Sequence, residues 1–280
     1  MQKVVLLTGS SRGIGKKTAL TLVDQGYKVY ATMRKPDSCD WFQALSEEAK
    51  ERVVLLSLDV TSKDEIDKTV DQIVQREGRI DVLINNAGVG LITPIEMVTD
   101  EELKWQFDVN FFGPLHLIQS VLPVMRKARD GHIINVSSIA GIVSNPGAGI
   151  YCATKHALEA ISASLASTVF QWNIKVTVIE PGPISTEFAE VMPLGTRADP
   201  SCPYGDFPSK YHDRMVDILK KGQPPEEVAS LILHVIESES PNFRYQTKGY
   251  KELAAKFIVD PTGNEWLDAQ KGLFKGWLSG

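Results

Sequence analysis

Tyr151 and Lys155 are four residues apart in the segment GIYCATK, and this spacing places both side chains on one face of a helix. A phenol with a pKa of about 10 exchanges protons poorly at neutral pH. A nearby ammonium group stabilises the phenolate and lowers the phenol pKa by about 1 to 3 units. The pair can therefore act as a general acid and base, although the same spacing is also common on ordinary helix surfaces.

A glycine-rich segment, TGSSRGIG at residues 8–15, follows a short apolar run and precedes a helical pattern. Glycine lets the main chain turn sharply and approach a ligand, while the free N–H groups of the following helix attract an anion. This strand, loop and helix order predicts a phosphate-binding turn for a nucleotide. The residues predicted to contact a cofactor here are Thr8, Gly9, Ser11, Arg12, Gly13, Ile14 and Gly15.

The end of the next apolar run, YATMRK at residues 30–35, indicates which nucleotide binds. In NAD-binding sites an acidic side chain at this position holds the ribose 2′-hydroxyl group. Here no carboxylate is present, and Arg34, helped by Arg12, can form charge-assisted hydrogen bonds to a 2′-phosphate. We therefore predict NADP(H) as the preferred cofactor with NAD(H) as a possible one, the alternative being two solvated surface arginines.

Short apolar runs alternate with longer amphipathic stretches up to about residue 180. This alternation is typical of βαβ units, so the predicted fold is α/β with a Rossmann-type doubly wound parallel sheet. Strands are predicted at residues 4–7, 28–32, 53–58, 80–84, 132–136 and 175–179. Helices are predicted at residues 16–25, 62–77, 100–127 and 153–172.

Beyond Pro181 the pattern changes to a stretch rich in proline, glycine and polar residues. Long irregular segments in compact domains are usually functional, and we predict a substrate lid at residues 183–222 with a helix near 211–220. A helix at 225–236 and a strand at 243–247 follow. We expect one domain over residues 1–280, with a cofactor-binding and catalytic core at 1–182 and a C-terminal extension at 243–280.

The composition excludes several classes of protein. The 280 residues include 30 Lys and Arg against 35 Asp and Glu, a formal net charge of -5, so nucleic acid is not an expected partner. Cys39, Cys152 and Cys202 are odd in number and widely spaced, which argues against a disulfide framework or a metal site. We find no apolar run long enough for a transmembrane segment and no signal peptide, and we expect a cytoplasmic protein.

The motifs occur together in the order typical of the short-chain dehydrogenase/reductase family, which the chain resembles over about residues 3–190. The resemblance is carried by Thr8, Gly13 and Gly15 of the glycine segment, Asn85, Asn86, Ala87 and Gly88, then Asn110, Ser138, Tyr151 with Lys155, and Pro181 with Gly182. It implies a one-domain enzyme that transfers hydride between a nicotinamide cofactor and an alcohol or carbonyl compound.

The resemblance also implies roles for single residues. Tyr151 would donate the proton in carbonyl reduction, and Ser138, thirteen residues before it, would bind the substrate oxygen. Lys155 would lower the pKa of Tyr151 and hold the nicotinamide ribose, and Asn110 would anchor a water molecule. Ser137 is a rival for the serine role, but the usual spacing favours Ser138. Further implied cofactor contacts are Asp59, Val60, Asn86, Ala87, Gly88, Tyr151, Lys155, Pro181, Gly182 and Thr186.

Within the family the chain resembles the branch of 17β-hydroxysteroid dehydrogenase type 1 and photoreceptor retinol dehydrogenase. The sequence segments that resemble this branch are YATMR at residues 30–34, NFFG at 110–113, EPGP at 180–183, RY at 244–245 and DPTG at 260–263. The family packs its long helices into oligomers, so we expect a homodimer or homotetramer.

The residues after the catalytic motifs are mostly apolar, at 89–92 and 139–143 and at Ile184 and Phe188. They predict a hydrophobic cleft for a steroid-, retinoid- or lipid-like alcohol and its carbonyl counterpart. Two alternatives are a 3-oxoacyl thioester reductase and a nucleotide sensor or scaffold without catalysis. His212 in the lid and Cys152 beside Tyr151 are more typical of a solvated histidine and an inert thiol than of functional groups.

Overall fold

The structure is a computed structural model that describes residues 2–250, 264 and 268. In this part of the chain seven parallel strands form one sheet in the order β3-β2-β1-β4-β5-β6-β7. The strands are β1 (Val4–Thr8), β2 (Lys28–Met33), β3 (Val53–Ser57), β4 (Val82–Asn85), β5 (Gly131–Val136), β6 (Ile174–Glu180) and β7 (Arg244–Gln246). The predicted doubly wound parallel sheet is confirmed.

Helices cover both faces of this sheet. They are α1 (Gly13–Asp24), α2 (Asp40–Gln43), α3 (Glu47–Lys50), α4 (Lys63–Glu77), α5 (Asp100–Phe107), α6 (Gly113–Ala128), α7 (Gly149–Val169), α8 (Phe207–Lys220) and α9 (Pro225–Glu237). The short helices α2 and α3 have no apolar periodicity of their own and were not predicted. Helix α7 begins before the predicted start at residue 153, so Tyr151 lies in its first turn.

Strand side chains alternate between two apolar cores. Val4 and Leu6 of β1 pack on one face with apolar residues of α4, α6 and α7. Val5 and Leu7 point to the other face, toward α1 and α9. Because both faces are covered, the strands are continuous apolar runs, which explains why they were recognisable in the sequence.

The two strands at the centre of the sheet, β1 and β4, are neighbours that are far apart in the chain. From this point the strand order proceeds in opposite directions, toward β2 on one side and β5 on the other. In open α/β sheets such a switch point leaves a crevice at the carboxyl ends of the strands, and ligands bind there. The loops after Thr8 and Asn85 lie at this crevice.

The predicted helix at 100–127 is interrupted. Between α5 and α6 the backbone forms a π-helical segment, Asp108–Phe112, that contains Asn110. Pro114 follows in the first turn of α6 and has no N–H group to continue the preceding hydrogen-bond ladder. Single π-turns inside helices are frequent at functional sites, and this one places Asn110 next to the crevice.

Residues 183–222, which we name the lid segment after their predicted role, contribute side chains to a cavity at the carboxyl ends of the strands, and closure over a substrate stays a prediction. The lid segment contains a 3₁₀ helix, Glu187–Val191, and α8, which begins earlier than predicted. The N–H group of Gly90 donates to the carbonyl oxygen of Val191 (2.8 Å), and that of Ile92 donates to Pro193 (3.0 Å). These bonds attach the lid segment to the loop after β4.

Strand β7 confirms the strand predicted at 243–247. Of the rest of the predicted C-terminal extension, residues 247–250, 264 and 268 are described, and DPTG at 260–263 lies outside the described residues. Among residues 2–250 no helix combines the length and the apolar character needed to cross a bilayer.

Candidate active site

A cavity of about 690 Å³ opens at the carboxyl ends of the central strands. One side, which we name the cofactor wall, consists of the glycine loop (residues 9–15), residues 59–60 and residues 86–88. The opposite side, the lid wall, is formed by residues of the lid segment. Tyr151 lines the same cavity, so both walls share one space with this side chain.

The glycine loop is shaped by backbone contacts. Gly9 and Gly13 adopt positive φ angles of 67° and 54°, which favour glycine. A Cβ atom at Gly15 would overlap the carbonyl oxygen of Gly9. Helix α1 begins at Gly13, and its N-cap residue, Arg12, makes no capping hydrogen bond with its side chain. The free N–H groups of the first turn, which carries no acidic residue, therefore fit the phosphates of a dinucleotide.

Thr8 supports this loop from behind and is not part of the cavity surface. Its hydroxyl oxygen accepts from the N–H groups of Asn86 (3.0 Å) and Ala87 (3.1 Å). The amide nitrogen of Asn86 in turn donates to the carbonyl oxygens of Thr8 (2.9 Å) and Gly9 (3.0 Å). The Thr8 side chain is thus buried and bonded to the β4 loop, which gives it a positioning role, and its contact with a cofactor stays a prediction.

The two arginines predicted to bind a 2′-phosphate lie in different environments. Arg34 is exposed at the end of β2, lines the cavity and forms no ion pair with any described residue. Arg12 also lines the cavity but forms an ion pair with Glu190 of the lid segment. Arg34 is therefore available to an anionic ligand, whereas Arg12 is shared with the lid.

Ser138, Tyr151 and Lys155 meet at the cavity, as the motifs predict. Both Ser138 and Tyr151 line the cavity, and the Ser138 side chain is near enough to lower the pKa of Tyr151. Ser137 points to the other side, where its buried side chain faces Glu159. The geometry thus favours Ser138 over Ser137 as the group that contacts a substrate oxygen.

The pKa of Tyr151 departs from the prediction. Burial raises it to about 12, and the neighbouring Ser138 side chain opposes this shift without reversing it. The ammonium nitrogen of Lys155 lies 5.9 Å from the centre of the Tyr151 ring. The predicted decrease is wrong for this structure, because desolvation of the phenolate outweighs the attraction of a lysine at that distance.

Lys155 is itself buried beside the cavity. Its ammonium group donates to the carbonyl oxygen of Val136 (2.9 Å). Burial lowers the pKa of Lys155 to about 8, and the negative charge of Glu159 acts in the opposite direction. The charge of this lysine near neutral pH therefore depends on its buried neighbours.

Asn110 is fully buried and stands behind the cavity surface. Its side-chain nitrogen donates to the carbonyl oxygen of Val89 (2.8 Å) and to the hydroxyl oxygen of Thr154 (3.1 Å). Its side-chain oxygen accepts from the N–H group of Val89 (2.9 Å). The side chain joins the β4 loop to α7, and its implied role in anchoring water stays a prediction.

The remaining residues implied as cofactor contacts all line the cavity. They are Ser11, Ile14, Asp59, Val60, Asn86, Ala87, Gly88, Pro181, Gly182 and Thr186. Asp59 also accepts hydrogen bonds from the N–H (2.9 Å) and hydroxyl (2.8 Å) groups of Thr61, which turns the chain after β3. The structure thus brings these motif residues to the surface of one cavity.

The substrate side of the cavity is largely apolar. Of the predicted residues, Val89, Gly90, Leu91, Ile92, Ile139, Ala140, Ile184 and Phe188 line it. The ring of Phe188 lies 6.1 Å from that of Tyr151, centre to centre. Gly141, Ile142 and Val143 were also predicted but are absent from the lining formed by the described residues.

Several lining residues were missed by the sequence reasoning. They are Met33, Leu58, Trp105, Val109, Asn145, Ala148, Glu190, Met192, Tyr211, Met215 and Leu219. Most belong to irregular segments or to helices without a motif, so no spacing identified them. The amphipathic pattern of α8 was the one usable signal, because its apolar face had to pack on the crevice.

Two residues singled out in the sequence have ordinary surroundings. His212 lies next to Asp213, while its neighbour Tyr211 faces the cavity. Cys152 is buried, and burial raises the pKa of its thiol, which disfavours the reactive thiolate. No group of His, Cys, Asp or Glu suited to a metal ion occurs in the described part of the chain.

Comparison with known proteins agrees with this geometry. Residues 3–194 match the family model of the short chain dehydrogenases. The chain is 37% identical over 246 residues to a 3-ketodihydrosphingosine reductase of Bacteroides thetaiotaomicron, with 86% of each chain covered. It is 34% identical to retinol dehydrogenase 8 of Bos taurus, covering 98% of this chain and 91% of that protein.

A solved structure of ElxO with bound NADP has the same fold. It is 27% identical, has a TM-score of 0.74, and covers 89% of this chain and 98% of that chain. The retinol dehydrogenase relative confirms the resemblance to that branch inferred from the local motifs. The family model, these relatives and the sheet topology together show that the chain belongs to the short-chain dehydrogenase/reductase family, oxidoreductases that act on CH–OH groups.

Proposed function

We propose that the protein is an NADP(H)-dependent oxidoreductase that interconverts a hydrophobic alcohol and its ketone or aldehyde. The observation that carries this proposal is the shared cavity: a phosphate-binding loop, the Ser138–Tyr151–Lys155 group and an apolar wall all reach it. Its volume lies in the range of about 300 to 1,000 Å³ typical of small-molecule sites. A nucleotide sensor has no need of the buried tyrosine, serine and lysine.

In the direction of reduction, the hydroxyl groups of Ser138 and Tyr151 bind the carbonyl oxygen of the substrate and polarise it. A bound nicotinamide would supply the hydride for the carbonyl carbon. The phenol of Tyr151 then gives its proton to the developing alkoxide, and the nearby Lys155 ammonium stabilises the phenolate that remains. The raised pKa of Tyr151 keeps this proton on the phenol at neutral pH.

The preference for NADP(H) rests on the end of β2. Arg34 is exposed there and lines the cavity, and Met33 stands in place of a carboxylate. A guanidinium group can bind a 2′-phosphate with two parallel hydrogen bonds, whereas it gains much less from the 2′-hydroxyl of NAD. The bound NADP of the similar ElxO structure is in keeping with this preference.

A hydrophobic substrate follows from the lid wall and its surroundings. Phe188, Met192 and Met215 lie on this wall, with Leu91 and Trp105 on neighbouring segments of the lining. Apolar side chains favour a ligand that leaves water and cannot satisfy a highly charged one. The names of the two relatives, a 3-ketodihydrosphingosine reductase and a retinol dehydrogenase, also describe large apolar substrates.

The proposal is tested by following NADPH and NADH oxidation by the purified protein with retinoids, steroid ketones, 3-keto long-chain bases, simple ketones and 3-oxoacyl thioesters. We expect turnover with NADPH and at least one lipophilic carbonyl compound. Tyr151→Phe should lower kcat by about 10²-fold or more, because it removes the proton donor, and should leave NADPH affinity nearly unchanged. A thioester preference, or full activity in Tyr151→Phe, would contradict the proposal.

We also propose that the protein is a homodimer or homotetramer. Phe112, in the π-helical segment before α6, is 41% exposed and packs edge-on against Phe111. An exposed aromatic pair of this kind suits a contact between long helices of two copies. Sedimentation equilibrium tests it: a wild-type dimer or tetramer that weakens in Phe112→Glu is expected, and a monomer would contradict it.

A further inference from the structure

A buried charged cluster lies directly behind the catalytic lysine. Glu159 of α7 is one helical turn after Lys155, Glu180 ends β6, and Arg244 begins β7. The Arg244 Nε atom is 3.1 Å from Glu159 Oε2 and 3.1 Å from Glu180 Oε1. The side chains of Glu159 and Glu180 are only 7% and 0% exposed. We name Glu159, Glu180 and Arg244 the carboxylate cluster.

The two carboxyl groups of the cluster compete for one guanidinium. Arg244 Nε lies 3.1 Å from an oxygen of each carboxyl group, which brings the two buried groups close together, and neighbouring carboxylate anions repel each other unless one takes up a proton. The carboxyl oxygens Glu159 Oε1 and Glu180 Oε1 are buried without a well-aligned hydrogen-bond donor among the described residues. A proton on one carboxyl group supplies the missing donor.

Glu180 is the better site for that proton. Burial raises the pKa of both carboxyl groups; the charge of Glu159 raises that of Glu180 further, to about 9, whereas Arg244 is the largest effect that lowers the pKa of Glu159. The Oε2 atom of Glu180 accepts a hydrogen bond from the Gln246 amide (2.5 Å), a neutral donor. Glu159, in contrast, faces Arg244 with its Oε2 atom in hydrogen-bond geometry. The negative charge of the pair is therefore best held at Glu159.

The charge of Glu159 acts on Lys155. The two residues are separated by four positions on α7, so their side chains lie on the same face of the helix. Burial disfavours the ammonium form of Lys155, and the charge of Glu159 is the effect that opposes this loss. If Glu159 were neutral, the lysine would lose its proton at a lower pH.

We propose that Glu159 and Glu180 share one proton at neutral pH, and that the negative charge left on Glu159 keeps Lys155 in its ammonium form. Glu159 faces Lys155 on its own helix, Ser137 after β5, Glu180 on β6 and Arg244 on β7. It is thus a positioning residue that acts through the lysine. The inference rests on the proposed function in one respect, that Lys155 serves Tyr151 during turnover.

The first experiment compares two substitutions of nearly equal shape, Glu159→Gln and Glu180→Gln, through the pH dependence of kcat/KM for carbonyl reduction. The alkaline limb of this profile reports Lys155, because Tyr151 loses its proton at higher pH. Glu159→Gln should move the limb to lower pH by about 1 unit, since an opposite charge is lost. Glu180→Gln imitates the protonated acid and should leave the limb unchanged. An unmoved limb in Glu159→Gln, or equal shifts in both variants, would overturn the inference.

The second experiment does not need turnover and uses the protein without cofactor. Infrared spectroscopy with ¹³C-labelled glutamate should show a protonated carboxylic acid at neutral pH in the wild type, and this band should be missing in Glu180→Gln. A wild type without the band would overturn the inference, even if Glu159→Gln did not fold. Failure to oxidise NADPH with any carbonyl compound would instead count against the proposed function, leaving the infrared result to decide the shared proton.

Discussion

The two walls of the cavity recognise their ligands in different ways. The cofactor wall is formed by the ends of parallel strands, and its loops are bonded to each other through Thr8 and Asn86. The lid wall has short 3₁₀ structure and offers mainly apolar side chains such as Phe188 and Met192. A phosphate is held by N–H groups of fixed geometry, whereas an apolar ligand needs only shape and area. We therefore expect the cofactor wall to tolerate few substitutions and the lid wall to tolerate many.

This contrast predicts that NADPH affinity falls most when a side chain is added where the backbone of the cofactor wall is tightly packed. In Gly15→Ala the new methyl group would overlap the Gly9 carbonyl oxygen and the Asn86 amide, so the loop must move. Overpacking of this kind costs up to about 3 kcal/mol, and we expect an NADPH affinity about 100-fold lower. Isothermal titration calorimetry measures the affinity.

Gly88→Ala is the matched control in the same wall. There a Cβ atom would stay 3.5 Å from Asn110 Oδ1 and 3.7 Å from Lys155 Nζ, which are ordinary contacts. We expect its thermal stability to remain close to that of the wild type, while Gly15→Ala melts at a lower temperature. If both variants lost the same thermal stability, the cofactor wall would be sensitive to any added atom, and the close backbone contact of Gly15 would not be the cause.

The next effect concerns Arg34, whose side chain lines the cavity next to the cofactor wall. Arg34→Glu should weaken NADPH about 30-fold more than NADH, since a charge-assisted pair is worth about 2 kcal/mol. Lys35→Glu makes the charge change one residue further on, where the side chain is exposed and outside the lining formed by the described residues. Kd values for both cofactors, measured by fluorescence titration, check the ratio. If Lys35→Glu changes the ratio of the NADPH and NADH Kd values as much as Arg34→Glu does, the NADPH preference comes from the overall electrostatic field and not from a contact of Arg34.

The same contrast explains how much could be read from the sequence. The glycine loop and the Tyr151–Lys155 pair were predictable, because local spacing fixes the positions of Gly13, Gly15 and the two catalytic groups on their helices. The π-helical segment was not predictable, because residues 100–127 keep a helical apolar pattern and the hydrogen bonds of Asn110 come from distant loops.

The pKa of Tyr151 had the wrong predicted direction for a related reason. The sequence shows a neighbouring lysine but does not show burial, which depends on chain far from the motif, such as Phe188 of the lid segment. The lining by Trp105 and Asn145 was missed because these wall residues follow no spacing rule. Local backbone requirements and the burial of whole strands leave a signature in the sequence, whereas the burial of one side chain by distant segments leaves none.

A smaller effect is expected on the lid wall. Phe188→Ala removes a ring that packs beside Tyr151, and we expect KM for a lipophilic substrate to rise about 10-fold, in line with the loss of part of the hydrophobic contact. NADPH affinity should hardly change, because the ring is not part of the cofactor wall. Phe112→Ala removes a ring from the surface before α6 and should leave KM unchanged. Steady-state kinetics in which the lipophilic substrate and NADPH are varied separately distinguishes the effect on substrate KM from the effect on NADPH binding. A large loss of NADPH affinity in Phe188→Ala would contradict the assignment of separate ligands to the two walls.

The smallest effect is expected where the two walls touch. Arg12 of the glycine loop and Glu190 of the lid segment form an ion pair whose side chains are 39% and 64% exposed, so it contributes only about 0.2 to 1 kcal/mol. Glu190→Gln releases Arg12 for a 2′-phosphate. NADPH affinity should therefore rise about 3-fold at low salt, with NADH affinity unchanged and the difference reduced at high salt. Glu226→Gln breaks a comparable surface pair with Lys17 and should alter neither affinity. If Glu190→Gln raises NADH affinity as much as NADPH affinity, the Glu190 carboxylate repels the part that both cofactors share. The lid segment would then belong to the cofactor wall as much as to the substrate side.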